Sequence, residues 1–431
     1  MKLNLETLQN RIMPVANKVQ SNTYLSSIMD GMSSLLAPIL VGAIATLLNN
    51  LPFEPYQAFL ETIRIKPYLA IATNFTTDII ALIAVFLITS NLVRKFDMDG
   101  NIPGIFGIVC FLVLTPLAQV EIDGEMTNFI SFEWLGAAGL FVAIILGLIV
   151  GRLYVAIVRK GLIIKMPDGV PPTIQKSFAG LIPGFVIVAI MLIVKAIFNV
   201  TPWGSVHQVI YTFLQAPLQN LGGSFWALLL SVFVVHLLWL FGIHGMLVVL
   251  SVMMPIWISL DLQNLEAYQA GEPLPNIVGL AFIMVYVLLG GSGATLGLNL
   301  LMLFRAKSQR FKTLGKLAIP AGLCGINEPI MFGTPIILNP IMAIPFILAP
   351  LLCAAIAYIV TAIGIVPPLM GANVPLGTPI IIIALLQGSW KFAVLEILLV
   401  ILTIFIYYPF FRIADNQAYT QEQGQEQPAE A

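Results

Sequence analysis

Residues 317–340 read LAIPAGLCGINEPIMFGTPIILNP, an apolar stretch that holds a single acidic residue, Glu328. A charged side chain at bilayer depth is costly, so such residues usually face a protein-lined cavity on a substrate or ion path. Prolines and glycines interrupt the stretch, and broken backbone is tolerated in a membrane only where it is buried in protein or lines a wet cavity. The pattern predicts a re-entrant hairpin over 317–342, with Glu328 as the first candidate for function.

The composition of the whole chain is that of a membrane protein. It has 431 residues, of which 59% are hydrophobic and 10% charged, and its mean hydropathy is +0.96. A soluble domain carries about 25% charged residues. A net charge of -1 gives no basic footprint for nucleic acid, and the sequence has no zinc-protease, nucleophile-elbow or ATP-binding motif. We predict no metal site and no cofactor, and we interpret the cysteines Cys110, Cys324 and Cys353 as packing residues.

Hydrophobic segments predict an all-α polytopic integral membrane protein, with about ten transmembrane helices and two re-entrant hairpins. Basic residues are clustered, whereas loops 120–133 and 259–275 carry only acidic charge. By the positive-inside rule these loops face outward and both termini are cytoplasmic, in a multi-pass protein of the cell inner or plasma membrane. The number of crossings within 199–258 stays open. The clear spans are 28–51, 69–93, 102–119, 134–158, 178–198, 276–304, 343–365 and 391–411.

A second hairpin is predicted from whether the number of membrane crossings is odd or even. Residues 366–388 are rich in proline and glycine, and the count of crossings after Lys316 closes if this segment and 317–342 each dip in and return. The two hairpins would then enter from opposite faces. Several transporters build a midplane binding site in this way.

Polar and aromatic side chains in or near these segments could bind a substrate. Asn327 and Glu328 offer the acceptors and amide donors that bind sugar hydroxyls, and Glu328 could take the proton of a hydroxyl that is being phosphorylated. His244 lies between two glycines in LWLFGIHG, where an imidazole can donate or accept without a full charge. A packing role is equally open for His244. Trp239 could stack on a sugar ring or pack in the core.

Particular segments of the chain resemble a known family. They are similar to the membrane subunit, enzyme IIC, of the phosphotransferase system, in its lactose, cellobiose and diacetylchitobiose branch. The resemblance runs from Tyr24 to Arg412 and implies a permease that moves a sugar inward while a phosphorylated cysteine on a separate IIB protein transfers its phosphoryl group to the sugar. The segments are GLCGINEPIMFGTPIILNP, LWLFGIHG, GGSGATLGLN and IKMPDGVPPTIQKSFAGLIPG.

The resemblance also implies roles for particular residues. The acid of the family falls on Glu328 and its histidine on His244, where they would hold the hydroxyl that receives phosphate. Asn327 would hydrogen-bond the same sugar ring. The predicted set is Glu328 and His244 as catalytic residues, and Asn327, Trp239, Gly139 and Gly291 as sugar-binding residues.

The same resemblance implies partners and a division of the chain. The partners are a separate phosphorylated IIB protein with upstream IIA and HPr-type carriers, the sugar, the lipid bilayer and a second copy in a homodimer. The subunit positions the sugar, and whether it counts as an enzyme by itself is left open. The predicted regions are a cytoplasmic segment 1–24, a helical domain 25–198 at the dimer interface, a transport domain 199–413 and a disordered tail 414–431.

The chain departs from the family pattern at two positions. Relatives often have an aromatic residue where Val374-Pro375-Leu376 ends, and often a polar residue in place of Ala138. Both departures would remove sugar contacts, so a cellobiose-like or diacetylchitobiose-like β-disaccharide is a default prediction. Other functions remain open: an ion-coupled secondary sugar transporter that uses Glu328 as a proton or sodium site, and a sugar-sensing membrane protein.

Overall fold

The chain divides into two compact units in the computed structural model. The amino-terminal unit comprises Val19–Gly222 and Leu250–Glu272, and the carboxyl-terminal unit comprises Met1–Lys18, Gly223–Val249 and Pro273–Ala431. The structure describes residues 5–51, 53–122, 125–167, 169–334, 336, 339–375 and 377–425.

Helices build most of the amino-terminal unit, and small residues let them approach closely. A Cβ atom on Gly31 would lie 2.7 Å from the side chain of Ile88. The second helix begins at Asn22, whose side chain accepts hydrogen bonds from the backbone N–H groups of Tyr24 and Leu25. The helices up to Gly222 are α1 (Leu5–Gln20), α2 (Thr23–Ser34), α3 (Leu36–Asn50), α4 (Glu54–Thr62), α5 (Lys66–Asn74), α6 (Ile80–Arg94), α7 (Asn101–Leu114), α8 (Leu140–Arg159), α9 (Pro172–Ala179), α10 (Leu181–Asn199), α11 (Val206–Ile210) and α12 (Ala216–Gly222).

An antiparallel β-hairpin follows α7 and corrects the all-α prediction. Its strands are β1 (Leu117–Ile122) and β2 (Glu125–Ile130), with Leu117 opposite Ile130. The side chains described on both strands are exposed. Valine, isoleucine, threonine and phenylalanine in these segments favour strands, whereas our sequence reading took the acidic charge of this region as the sign of a plain loop.

In the carboxyl-terminal unit, the segment 276–304 that hydropathy predicts as a span is interrupted. The glycine-rich loop 288–295 breaks this segment into two, with a π-helical turn at Ile283–Val287 before the loop. Glycines at left-handed φ angles make the break possible. The helices from residue 225 onward are α13 (Phe225–Leu240), α14 (Gly245–Ala270), α15 (Leu280–Phe282), α16 (Leu296–Arg305), α17 (Gln309–Leu323), α18 (Glu328–Gly333), α19 (Pro340–Ala362), α20 (Ile380–Leu385) and α21 (Trp390–Gln425).

The helices are long and apolar enough for a polytopic membrane protein. Among the described residues, 6 helices could cross a bilayer, or up to 7 if one broken helix pair counts as a span. The mostly helical, polytopic character predicted from hydropathy is therefore confirmed.

The end of α21 differs from the prediction of a disordered tail over 414–431. Residues 414–425 are helical, and acidic side chains tie them to the start of α17. Asp415 accepts hydrogen bonds from the backbone N–H of Lys307 at 2.8 Å and from the Ser308 hydroxyl at 2.8 Å. Glu422 accepts the N–H of Arg310 at 2.9 Å. These bonds order a polar segment that has little to bury, and residues 426–431 lie outside the described part of the chain.

Candidate functional site

A tight turn between α17 and α18 presents Glu328. Gly325 has φ +73°, its N–H donates to the Gly322 carbonyl, and the N–H of Ile326 donates to the Ala321 carbonyl. This is a Schellman motif, which ends α17 at a glycine that can adopt the left-handed conformation. Glu328 is the first residue of α18 and its side chain is exposed. We refer to residues 324–327 as the Glu328 turn.

Asn327 connects the Glu328 turn to loop 288–295. Its side-chain Nδ2 donates to the Ser292 carbonyl at 2.5 Å and to Thr295 Oγ1 at 3.1 Å, and the side chain is only 5% exposed. A Cβ atom on Gly291 would lie 2.6 Å from Asn327 Cγ. Two predicted sugar-binding residues, Asn327 and Gly291, are thus brought together. Both amide hydrogens of Asn327 are used inside the protein.

Loop 288–295 is held from a second side as well. The Thr295 hydroxyl donates to the Gly290 carbonyl at 2.8 Å, and the Tyr407 hydroxyl on α21 donates to the Gly293 carbonyl at 2.7 Å. Gly293 is also close to Phe346, since a Cβ atom there would lie 2.3 Å from the ring. The loop is therefore a fixed platform under Asn327.

His244 lies in a comparable turn, between α13 and α14. Gly242 has φ +75°, and a Cβ atom on Gly245 would lie 1.9 Å from the Val235 carbonyl oxygen. Only glycine permits this backbone approach. His244 Nδ1 accepts the Leu247 N–H at 3.3 Å, so the neutral ring carries its proton on Nε2. We refer to residues 241–244 as the His244 turn.

The charge of Glu328 reaches the His244 ring. Burial lowers the pKa of His244, and the Glu328 carboxylate acts on it electrostatically in the opposite direction. The structure therefore brings the two predicted catalytic residues into one electrostatic neighbourhood within the carboxyl-terminal unit. A carboxylate acceptor and an Nε2–H donor together match the two hydrogen-bonding functions of a hydroxyl group.

Trp239 packs against the histidine. Its ring centroid is 4.5 Å from that of His244, at an interplanar angle of 47°. The side chain is 7% exposed, and its Nε1–H has no hydrogen-bond partner among the residues that the structure describes. In this geometry Trp239 fixes the orientation of the imidazole.

Gly139 is the one predicted site residue in the amino-terminal unit. It lies in a short 3₁₀ turn before α8, where a Cβ atom would lie 1.8 Å from the Trp134 carbonyl oxygen. A close backbone contact thus accounts for glycine at this position. Ala138 is half-buried beside it, and Leu376 lies outside the described residues.

Sequence reasoning missed the residues that hold the Glu328 turn. Ser292 contributes a backbone carbonyl, which no side-chain motif could reveal. Arg310 was counted only as a cytoplasmic charge, yet its guanidinium donates to the Gly333 carbonyl at 3.0 Å and ties the start of α17 to the end of α18. Thr295 was the clearest sequence sign of this contact, because it is a polar residue two positions after the glycine cluster in an otherwise apolar segment.

Comparison with known proteins gives consistent matches over the whole chain. A family model described as "Phosphotransferase system, EIIC" matches residues 29–350. The cellobiose-specific EIIC component of Geobacillus stearothermophilus is 36% identical over 97% of this chain and 96% of its own length. The crystal structure of the transporter ChbC, the IIC component from the N,N'-diacetylchitobiose-specific phosphotransferase system, aligns with a TM-score of 0.91 and 39% identity, covering 97% of this chain and 99% of that one.

Some relatives are longer than this chain. The lactose-specific EIICB component of Lacticaseibacillus casei is 28% identical over 98% of this chain but only 73% of its own length. This longer relative is named EIICB, whereas the cellobiose-specific relative is named EIIC.

Proposed function

Because the chain belongs to the phosphotransferase system EIIC family, we propose that it takes up a β-linked disaccharide and presents one hydroxyl to the phosphorylated cysteine of a IIB protein. Membership of the family makes the chain a sugar-specific permease subunit and a multi-pass membrane protein. The electrostatic influence of Glu328 on His244 is the observation that carries the rest of the proposal.

The chemistry assigned to this pair is proton transfer and orientation. The Glu328 carboxylate accepts the hydrogen of the sugar hydroxyl and takes that proton as the hydroxyl oxygen forms a bond to phosphorus. The P–S bond of the phosphocysteine breaks and the IIB thiolate leaves. His244 Nε2–H donates to the same hydroxyl oxygen and fixes its direction. Since phosphoryl transfer depends mainly on positioning and charge, these two roles suffice for the membrane subunit.

The sugar proposed as substrate is of the cellobiose or diacetylchitobiose type. The relatives with those specificities match nearly the full chain. Within the carboxyl-terminal unit we assign sugar contacts to Trp239 and Gly291 in addition to Asn327. The bonds from Asn327 to loop 288–295 indicate that its amide supports the site, which leaves its oxygen as the atom available to a sugar.

The partner proposed for the subunit is a separate IIB protein, supplied by IIA and HPr-type carriers. The cellobiose-specific relative, 36% identical to this chain, carries the EIIC name. Burial of the cysteines Cys110 and Cys353 is unsuited to a phosphate acceptor. We further propose a homodimer through 25–198, a transport domain at 199–413 and a cytoplasmic segment 1–24.

The proposed topology has about ten crossings, two re-entrant hairpins at 317–342 and 366–388, and both termini in the cytoplasm of a bacterial cell. The Schellman motif before Glu328 and the short helix α18 after it support a hairpin there. For the second hairpin, Gln387 supports a fold-back because its side chain bonds both the N–H and the carbonyl of Ala372, at 3.1 and 2.7 Å.

Sugar uptake into membrane vesicles tests the proposal. Labelled β-disaccharides and monosaccharides would be supplied with phosphorylated IIB, with unphosphorylated IIB or without IIB. We expect sugar phosphate to accumulate only with phosphorylated IIB. Accumulation of unmodified sugar along a proton or sodium gradient would contradict the proposal and make the protein an ion-coupled transporter, while binding without uptake would favour a sensor.

A further inference from the structure

One buried acid of the carboxyl-terminal unit has no place in the site described above. Glu396 lies on α21 and is 1% exposed, and neither of its carboxyl oxygens has a hydrogen-bond partner in the described part of the chain. None of the described lysine, arginine or histidine side chains is within ion-pair distance of it. An ionised carboxylate without partner or counter-ion is strongly disfavoured in an apolar interior. The carboxyl group of Glu396 is therefore protonated.

A second unpartnered polar group lies beside it. Tyr286 is 1% exposed, and among the described residues its hydroxyl has no hydrogen-bond partner. The ionised form of Glu396 would act on this hydroxyl electrostatically. Tyr286 belongs to the π-helical turn Ile283–Val287, which packs against α21. A phenol and a carboxyl group each offer one donor and acceptor oxygens, so a water molecule can bridge the two.

We propose that Glu396 and Tyr286 form a buried proton-binding site, in which the carboxyl group of Glu396 binds and releases a proton beside the Tyr286 hydroxyl. The ligand is a proton. Glutamate suits this use because it is the one acidic side chain within the apolar stretch from Phe392 to Phe411.

The site adjoins the platform that holds the Glu328 turn. Tyr286 lies two residues before loop 288–295, and that loop accepts both hydrogen bonds of Asn327. The helix of Glu396 also reaches the loop through the bond from Tyr407 to Gly293. π-Helical turns are frequent at functional sites. A charge left on Glu396 would disfavour the buried packing of Tyr286, so proton release should alter uptake. This step rests on the proposed function.

The elements packed against α21 carry other titratable and charged groups. Helix α20, which packs against α21, contains only isoleucine, alanine and leucine. The titratable and charged residues on the other elements packed against α21, and next to Glu396 on α21 itself, are Tyr286 on the π-helical turn, Cys353 and Tyr358 on α19, Arg305 on α16, Arg310, Lys312 and Lys316 on α17, and Lys391 on α21. Of these, Tyr286 is the neighbour on which an ionised Glu396 would act electrostatically, and it has no other polar partner among the described residues.

Infrared spectroscopy of the full chain in lipid vesicles tests the site itself. We expect wild-type protein to show a protonated-carboxyl band that Glu396→Gln lacks, and we expect this band to fade as the pH is raised. Tyr286→Phe should shift the band because the neighbouring hydroxyl is lost. A spectrum in which wild type and Glu396→Gln do not differ at neutral pH would overturn the proposal. So would a band that never titrates before the protein unfolds.

Uptake as a function of pH tests the link to transport. Wild-type uptake with phosphorylated IIB should fall at alkaline pH, whereas Glu396→Gln, which mimics the protonated acid, should stay active with a flat profile. The matched control is Glu133→Gln, an exposed acid, whose profile should follow wild type. Identical profiles for wild type and Glu396→Gln, or a sodium requirement in place of the pH effect, would overturn the link. If wild type forms no sugar phosphate at all, the proposed function fails while the infrared result stands.

Discussion

The Glu328 turn and the His244 turn each position a titratable side chain, the first by hydrogen bonds and the second by packing. Each ends a helix at a glycine with left-handed φ, Gly325 at +73° and Gly242 at +75°, and each presents one titratable side chain. The Glu328 turn is held by hydrogen bonds from Asn327. The His244 turn is held by packing, since Gly245 abuts the Val235 backbone and the indole of Trp239 lies against the ring.

Because of this difference, the two turns should be sensitive to different kinds of mutation. A hydrogen-bonded turn is sensitive to the loss of single polar atoms and tolerates small changes of volume. A packed turn is sensitive to added volume and indifferent to nearby polar changes. Mutations chosen for one mechanism should therefore leave the other turn largely intact.

Glu328→Gln should have the largest effect, on chemistry rather than on structure. The amide keeps the volume of the side chain but cannot take a proton, so formation of sugar phosphate should fall by about 10²–10⁴-fold. Sugar binding should persist in part. The measurement is sugar phosphate formed with phosphorylated IIB, with Glu133→Gln as the control. Unchanged phosphorylation would remove Glu328 from its proposed role.

Gly245→Ala should break the His244 turn through volume alone. The added methyl group would lie 1.9 Å from the Val235 carbonyl oxygen, and such overpacking costs about 1–3 kcal/mol. Thermal unfolding in detergent measures this loss. Gly271→Ala is the matched control, because it adds a methyl group that meets no atom within 4 Å and bears only the strain of φ +71°. Equal losses in the two variants would mean that packing at Val235 does not hold the turn.

Thr295→Val should loosen the Glu328 turn by removing a polar atom. The hydroxyl accepts from Asn327 and donates to Gly290, so its loss leaves buried groups unpaired at a cost of about 1–2 kcal/mol. Hydrogen exchange of residues 324–333 should rise, while exchange at the His244 turn should not. Thr420→Val, which removes an exposed hydroxyl bonded to Asn416, is the control. Faster exchange at both turns would contradict the separation drawn here.

The smallest effect expected is electrostatic, and it joins the two turns. Glu328 raises the pKa of His244 against the lowering caused by burial, so Glu328→Gln should lower that pKa further. Nuclear magnetic resonance titration of labelled histidine can follow this shift, because the chain has 3 histidines and His244→Asn identifies the signal. A pKa that does not move would show that the two side chains are too far apart to act on one hydroxyl.

Helix ends and breaks were the most predictable part of the fold. Gly325 and Pro329 mark the Glu328 turn because only glycine adopts the left-handed angle easily and proline favours the first helical turn. The β-hairpin at 117–130 was not predicted, because acidic residues dominated a segment whose pairing depends on two short strands meeting. The helical end of α21 was missed because its bonds go to backbone N–H groups 107 to 113 residues earlier.

The candidate site was predictable in residue type and less so in role. His244 and Glu328 stood out as titratable groups in apolar stretches, and both lie in the carboxyl-terminal unit. One amide hydrogen of Asn327 is taken by the Ser292 carbonyl, a main-chain atom that composition cannot reveal. Glu396 carried the same signal as Glu328, one acid in an apolar span, but without glycines or prolines around it the signal was overlooked.

Helix α21 is long enough to extend from the lipid hydrocarbon core into water. Its 36 residues extend about 54 Å, which exceeds a hydrocarbon core of about 30 Å. The end near Asp415 and Glu422 must therefore reach water, where dissolved salt screens exposed charge. Glu422 is half-buried and Asp415 is buried, so rising ionic strength should loosen the outer bonds to α17 first and leave the inner ones intact. Salt then frays this helix from its tip, while its lipid-embedded half is insensitive to it.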